Sequence, residues 1–484
     1  MGKEYRPPVV VVLGHVDHGK TTLLDYIRKS HVADKEAGKI TQSIGAYSAS
    51  IPIDGYHTNT ITFIDTPGHE AFTKLRSRGA LVADIAILIV DATSSVQPQT
   101  IESISHIQQA NIPFIVAINK VDLPNSNPDK IKGELAKHGV LTEGYGGNVP
   151  VAPISALKGT GVEDLLEALL IMAAENELTY DTSAPLEAYI IETKQDKSGI
   201  IASSIIKNGV IKIGDTVYSG DKAAKIRSLI DDSGKRLNEV LPSAAFVLSG
   251  FKDMPDIGPL TGAATGIQLE SPIIRPAKSD DPFAGFFEVS TDKKLKIVLR
   301  ADTTGSLEAL IPGLQKNENI EVVLASVGDI SESDIFLAKV SKAIVLGFGV
   351  QASKSIEYIA KTEKVVVKTY SIIYKLLEEL QQVSELLKEK EERERTFKGE
   401  AKVAALFTIE GTFIVGVKVN KGRVDLHDRV EHYRDNILKD ESLVVSIKQR
   451  AKTADSVKKG EEGGLVLDPQ LDVKQGDVLK SYSI

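Results

Sequence analysis

The sequence has 484 residues, 42% of them hydrophobic, and a formal net charge of −8. That hydrophobic share supplies several cores and excludes a disordered chain, while the acidic balance argues against a strongly basic nucleic-acid binder but leaves room for RNA contact through local patches. No cysteine is present, which excludes disulfides and thiolate metal sites and fits a cytoplasmic location, and no uncharged apolar run reaches the roughly 18 residues of a membrane span.

The first element is the β-branched run Val9-Val10-Val11-Val12-Leu13, read as a buried strand. It leads into Gly14-His15-Val16-Asp17-His18-Gly19-Lys20-Thr21, and Thr22-Leu23-Leu24 opens a helix. Strand, glycine-bounded loop and helix are the context that G-x-x-x-x-G-K-[ST] requires. The glycines permit a tight loop whose N–H groups point inward at phosphate oxygens, and the helix N-terminus adds unpaired N–H groups and partial positive charge. Lys20 would reach the β- and γ-phosphates and the Thr21 hydroxyl would hold Mg²⁺, with Thr22 beside it. His15 and His18 are read as shaping the loop rather than performing chemistry.

Residues 36–47 have the form of a mobile loop whose Thr41 could join Thr21 on the Mg²⁺. A second strand, Thr60–Ile64, ends in Asp65-Thr66-Pro67-Gly68-His69. Asp65 is placed to hold Mg²⁺ through water, Gly68 to donate its N–H to a γ-phosphate, and His69 to orient the attacking water. Further strands are Ile85–Val90, Pro113–Ile118 and Val149–Ile154. The second of these ends in Asn119-Lys120-Val121-Asp122 and the last in Ser155-Ala156-Leu157-Lys158. The Asp122 carboxylate can accept from N1–H and the 2-amino group of guanine, a donor pair that adenine lacks. The Ser155, Ala156, Leu157 loop can donate to the guanine 6-oxygen. Helical stretches at 70–81, 98–110, 128–137 and 162–174 alternate with these strands, which predicts a doubly wound α/β GTPase domain over 1–180 with GTP or GDP at the carboxyl ends of the strands.

Gly14–Thr21 resembles the translational GTPases, the class that includes elongation factor Tu. Residues 38–47 together with Asp65–Phe72, and then Val96–Thr100 and Glu134–Gly139, resemble more narrowly the bacterial translation initiation factor 2 family. The resemblance implies that Val16 and Ile40 flank the path of His69 as apolar gate residues and that Asp17 lies near the phosphates. The long N-terminal extension common in that family is not in this sequence, which leaves either a natural short form or a shortened sequence.

From Leu186 the pattern turns to short strands. Asn208-Gly209 reads as a hairpin turn and Val210–Val217 as a strand, giving a β-barrel over 183–268. It resembles the second domain of translational GTPases, which implies a scaffold facing the small ribosomal subunit. Residues 271–292, rich in Pro, Ser and Asp, read as a linker. A small α/β domain is predicted over 293–370: residues 295–310 read as a strand, a glycine turn with Ser306 as cap and a helix, and strands follow at 320–326, 343–348 and 363–368. It resembles the third domain of initiation factor 2. Ile373, Leu376, Leu380, Val383 and Leu387 recur at helical spacing, and the charged run after them reads as a solvated rod; together they give a long connecting helix over 371–398.

Short strands over 399–484 predict a C-terminal β-barrel, with turns at Lys421-Gly422 and Arg434-Asp435-Asn436. By resemblance this domain grips the formylmethionyl end of initiator tRNA near Arg429, Lys448, Arg450, Glu462, Gly463 and Gly464, with Glu461 adjoining. The resemblance as a whole implies a monomeric, cytoplasmic initiation GTPase whose partners are both ribosomal subunits, initiator tRNA and other initiation factors, with no membrane partner. Two further readings are a tRNA-delivery GTPase like elongation factor Tu, opposed by the α/β third domain and the long helix, and a nucleotide-gated RNA-binding scaffold in which hydrolysis matters little.

Overall fold

The computed structural model describes residues 4–29, 41, 43–51, 53, 55–196, 199–262, 294–409, 412–435, 437–449 and 452–483. They fall into two compact units. One holds the described residues up to Gly262 together with 294–380, and the other holds those from Gln381 onward.

The first unit opens with a six-stranded sheet in the order Gly45–Ser50, Thr60–Asp65, Val9–Gly14, Ile85–Asp91, Phe114–Asn119, Val151–Pro153. All neighbours are parallel except the Gly45–Ser50 edge. The Val9–Gly14 strand is buried on both faces because helices cover both, so it reads as an unbroken apolar run. Val10 and Val12 face α1 (Lys20–Arg28) and α5 (Val162–Glu175). Val9, Val11 and Leu13 face α2 (Thr73–Val82), α3 (Pro98–Ala110) and α4 (Pro128–Lys137). The end of the predicted mobile loop is in fact an edge strand: Gly45–Ser50 buries only Tyr47 and Ala49, too weak an alternation to read as a strand without its partner. Residues 36–40 of that loop, including Ile40, lie outside the described residues.

An eight-stranded antiparallel sheet follows, in the order Lys222–Lys225, Thr216–Ser219, Gly258–Gly262, Glu187–Asp196, Gly199–Asn208, Ala245–Ser249, Ser228–Asp231, Arg236–Leu237. Two expectations are corrected here. The strands flanking Asn208-Gly209 do not pair with each other, since Gly199–Asn208 pairs with its neighbours on either side and Ile211–Lys212 pairs with Glu239–Val240. The predicted strand Val210–Val217 breaks at Gly214, whose φ of 94° is open to glycine and strained for other residues.

This sheet is tied to the first by a buried ion cluster. Arg6 donates to both Asp84 oxygens at 2.6 and 2.7 Å, the Val9 N–H donates to Asp84 at 2.8 Å, and Lys207 donates from the second sheet. Burial alone would raise the Asp84 carboxyl, but Arg6 and Lys207 hold it below the usual range. Asp84→Asn leaves two buried cations facing a neutral amide. It is expected to lower unfolding stability by about 3–5 kcal/mol, read as a shift of the urea midpoint at unchanged slope.

The third part is a parallel sheet in the order Ile320–Val327, Leu295–Ala301, Ile344–Phe348, Val367–Tyr370, with α6 (Thr304–Gln315), α7 (Glu332–Ser341) and α8 (Lys354–Glu363). The cap of α6 is Thr303, whose hydroxyl accepts from the Ser306 N–H, so Ser306 lies inside the first turn rather than capping it. The predicted strand 363–368 begins later, because α8 runs through Glu363 and turns at Lys364 (φ 56°). Then α9 (Ile373–Thr396) starts by burying Ile373, Leu376 and Leu380.

Glu192, on the Glu187–Asp196 strand, reaches the N-terminus of α6. One carboxylate oxygen accepts from the Gly305 and Thr193 N–H groups, each at 3.0 Å. Burial nevertheless dominates and pushes its pKa up to about 7. A carboxyl raised in the folded state opposes folding once ionised, so its contribution worsens as pH rises from the unfolded value near 4.5 through 7. Glu192→Gln removes that penalty. The variant is expected to gain stability over the parent as pH rises from 5 to 7.5, by up to about 3 kcal/mol, measured as the difference in Tm across that range.

The second unit pairs its strands in the order Phe397–Ile409, Val478–Tyr482, Arg429–Arg434, Ile437–Gln449, Glu462–Asp468, Thr412–Asp425, and Thr412–Asp425 pairs again with Phe397–Ile409. Lys421-Gly422 is not a turn: it lies within Thr412–Asp425, where Gly422 (φ 63°) pairs with Gly399, and a Cβ would meet the Lys398 carbonyl at 2.0 Å. Arg434 pairs with Ile437, and Asn436 of the turn expected there lies outside the described residues.

Candidate functional site

The carboxyl ends of the central strands surround a cleft of about 330 Å³. Its floor is the loop between Gly14 and α1. Asp17 (φ 63°) and Gly19 (φ 95°) turn the chain so that α1 starts at Lys20. A Cβ on Gly19 would stand 2.2 Å from the Asn119 amide nitrogen, so the loop tolerates no side chain there. The Lys20 side chain is buried and its ammonium donates to the Gly14 and His15 carbonyls at 2.9 and 2.7 Å. Burial, opposed by Asp65, pushes its pKa down to about 8.

At one end the Thr21 and Thr41 hydroxyls are 2.8 Å apart and Thr41 lies 3.5 Å from the Asp65 carboxylate. Three hard oxygen donors converge there, the donor chemistry that Mg²⁺ takes. Gly68 presses on the same floor: a Cβ there would meet the Lys20 ammonium at 2.4 Å and the Val16 N at 3.1 Å.

At the other end Asn119 ties two loops together, donating to the His18 carbonyl at 2.8 Å and accepting from the Ala156 N–H at 2.9 Å. Lys120 (φ 64°) is held by Asp91 at 2.6 Å. Asp122 lies 3.4 Å from Lys158, and the hydrogen bond from Ser155, with help from Lys158, keeps its carboxyl below the usual range.

Of the predicted site residues, Val16, Asp17, Gly19, Lys20, Thr21, Thr22, Gly68, Asn119, Lys120, Asp122, Ser155, Ala156 and Leu157 line the cleft together with Thr41 and His69. Gly14 and His15 face Lys20 through their carbonyls, and Asp65 stands behind Thr41. His18 is buried, its ring nitrogen 3.5 Å from the Ser94 hydroxyl; burial, with His15 beside it, pushes its pKa down to about 4.

His69 is nearly enclosed. Its Nδ1 accepts from the Ala71 N–H at 2.9 Å, so in the neutral ring the proton sits on Nε2. The ring stands edge to face against Tyr374 of α9, centroids 4.2 Å apart, and against Phe72 at 6.1 Å. Burial lowers its pKa, and the charge of Arg76 adds to that.

Sequence reasoning missed several contributors. Leu123 lines the cleft beside Leu157. Gln99 accepts from the Val16 N–H at 3.0 Å. Arg76 grips the Pro67–His69 backbone. Only Gln99 carried a signal, inside the Val96–Thr100 stretch. In the second unit Lys448 pairs with Gly464, with Gly463 and Glu462 alongside, while Arg429 lies opposite Leu443 and so stands farther along that strand. A Cβ on Gly463 would meet Val457 at 2.6 Å. Arg450 lies outside the described residues. No helix among the described residues is long and apolar enough to cross a membrane.

Comparison with known proteins bears on this site. The GTP-binding domain of elongation factor Tu matches residues 6–175, domain 2 of elongation factor G matches 185–259, and translation-initiation factor 2 matches 278–381. Translation initiation factor IF-2 of Fervidobacterium nodosum is 43% identical over 99% of this chain and 72% of that protein. The factor of Halothermothrix orenii is 40% identical with the same coverage, and that of Thermus thermophilus is 38% identical over 99% of this chain and 87% of its own length. Among solved structures, GDP-bound aIF5B from Aeropyrum pernix is similar at a TM-score of 0.45 and 27% identity, covering 99% of this chain and 92% of that one. With a phosphate-type loop and a guanine-type carboxylate on one cleft, and these relatives along its whole length, the chain binds and hydrolyses GTP and belongs to the translation initiation factor 2 family of translational GTPases.

Proposed function

We propose that this GTPase promotes binding of formylmethionyl initiator tRNA to the small ribosomal subunit and the joining of the large subunit, with hydrolysis triggered by the ribosome. The observation that carries the catalytic half is the convergence of Lys20, Thr21, Thr41, Gly68 and His69 on one cleft with Asp122 at its far end. The names of the relatives support the initiation half. In this reading residues 1–180 bind GTP, 183–268 and 293–370 form a second and third domain, 371–398 connect, and 399–484 contact the tRNA. The factor works as a cytoplasmic monomer and can meet other initiation factors on the small subunit.

Each residue has a stated task. Backbone N–H groups from Val16 to Thr22 cradle the phosphates, and Lys20 exchanges its two loop carbonyls for β- and γ-phosphate oxygens. Thr21, Thr41 and, through water, Asp65 would hold Mg²⁺, which when bound neutralises charge on the β- and γ-oxygens. Gly68 donates its N–H to the γ-phosphate. His69 leaves its enclosed position, with Val16 beside its path, and orients the attacking water. Asp122 selects guanine, and Ser155, Ala156 and Leu157 approach its 6-oxygen. Catalysis is then positioning plus charge stabilisation, with no covalent intermediate.

The test is binding of the full chain, loaded with a non-hydrolysable GTP analogue, to formylmethionyl-tRNA, unformylated methionyl-tRNA and an elongator aminoacyl-tRNA at fixed salt. A preference for the formylated initiator of tenfold or more supports the reading. Equal binding to all three contradicts its tRNA half and favours a scaffold role.

A further inference from the structure

Arg76 is the largest fully buried side chain among the described residues, and its guanidinium is shared between backbone and side-chain acceptors. One terminal nitrogen donates to the Pro67 carbonyl at 3.0 Å and to the His69 carbonyl at 2.5 Å. The other donates to both oxygens of Glu102 at 2.8 Å and to the Thr73 hydroxyl at 3.2 Å. The two carbonyls flank Gly68. One rigid, planar guanidinium therefore spans the glycine expected to sense the γ-phosphate and the histidine expected to orient water.

Glu102 anchors this fork from α3, where the His106 ring nitrogen stands 3.2 Å from its carboxylate. One turn earlier on α3, Gln99 accepts from the Val16 N–H, so a single helix braces both the phosphate loop and the Gly68–His69 segment. A buried ion pair alone would be weak evidence for anything beyond packing, since apolar residues often replace such pairs without loss. Here the cation also satisfies two carbonyls on either side of one glycine. A lysine, a point charge without the fork, cannot meet those carbonyls and a bidentate carboxylate together.

We propose that Arg76, braced by Glu102, is a positioning residue for GTP hydrolysis, fixing the backbone of Gly68 and His69 at the spacing the γ-phosphate and the attacking water require. The inference deepens the proposed function and rests on its roles for Gly68 and His69.

The test is steady-state GTP hydrolysis by the full chain with both ribosomal subunits present, alongside GTP and GDP affinities from a fluorescent guanine nucleotide. R76K and E102Q are compared with the parent and with H69A. Small errors of placement lower the chemical step by one to two orders of magnitude. R76K is expected to lower kcat by about 10–100-fold and E102Q by about 3–10-fold, with KM and nucleotide affinity within about threefold of the parent. Glu102 is partly exposed, so E102Q carries the test if R76K fails to fold. Parent-like kcat in folded E102Q overturns the proposal, as does a loss confined to KM or affinity. If H69A is inactive while R76K and E102Q turn over normally, this inference alone fails. If H69A turns over normally, the reading of His69 fails first and this inference with it.

Discussion

Asp122→Asn is expected to lower GTP and GDP affinity by about 100-fold or more and to shift preference toward xanthine nucleotides. The wild-type carboxylate, favoured in its ionised form by Ser155 and Lys158, lines the cleft and carries two acceptor oxygens. Guanine offers two donors, N1–H and the 2-amino group, and hydrogen bonds to a charged acceptor contribute about 1.5–3 kcal/mol each. Asparagine keeps one acceptor and turns its amide hydrogens toward the 2-amino group, so one strong bond becomes a donor facing a donor. A loss near 3 kcal/mol corresponds to about a hundredfold in Kd. Xanthine carries a carbonyl at that position, which the new amide can meet. Titration with fluorescent GDP and XDP reads both effects, and unchanged GDP affinity would place the base elsewhere.

His69→Ala is expected to lower ribosome-stimulated hydrolysis by about 10²–10⁴-fold, the usual contribution of a positioned proton-handling group, while GTP affinity stays within about threefold. The geometry explains the separation. The ring lies at the cleft margin, its Nδ1 committed to the Ala71 N–H and one face closed by Tyr374, so in this arrangement it adds little to binding nucleotide. To orient water it must leave both contacts, a step available for the ribosome to control. Because removing the ring leaves Lys20, Gly68 and the oxygen cluster in place, affinity and turnover should respond independently. Parallel loss of both would mean that His69 supports the fold of the site rather than the reaction.

Where the sequence could be read, the reason is local. The strands Val9–Gly14, Thr60–Asp65 and Phe114–Asn119 each end in the residues that meet at the cleft, so strand patterning and motif spacing gave the same answer. Where reading failed, the deciding partner was distant. Asn208-Gly209 carries a hairpin signature, yet the strands around it pair elsewhere. Gly422 resembles a turn glycine but serves close approach to Lys398 inside a strand. Ser306 yields its capping role to Thr303, one turn earlier on the same polar run. Arg76 looks like one more helical arginine until Pro67, His69 and Glu102 are seen around it, and Tyr374 reaches His69 from the start of α9, far along the chain.

In the proposed function, GTP turnover answers to subunit joining. The most direct measurement is rapid-quench hydrolysis of GTP by the full chain, first alone, then on small subunits carrying formylmethionyl-tRNA, then on mixing with large subunits. Slow turnover is expected in the first two cases and a burst at least about 10³-fold faster in the third, the scale seen when a missing catalytic element is supplied in trans. Equal rates in all three would contradict it.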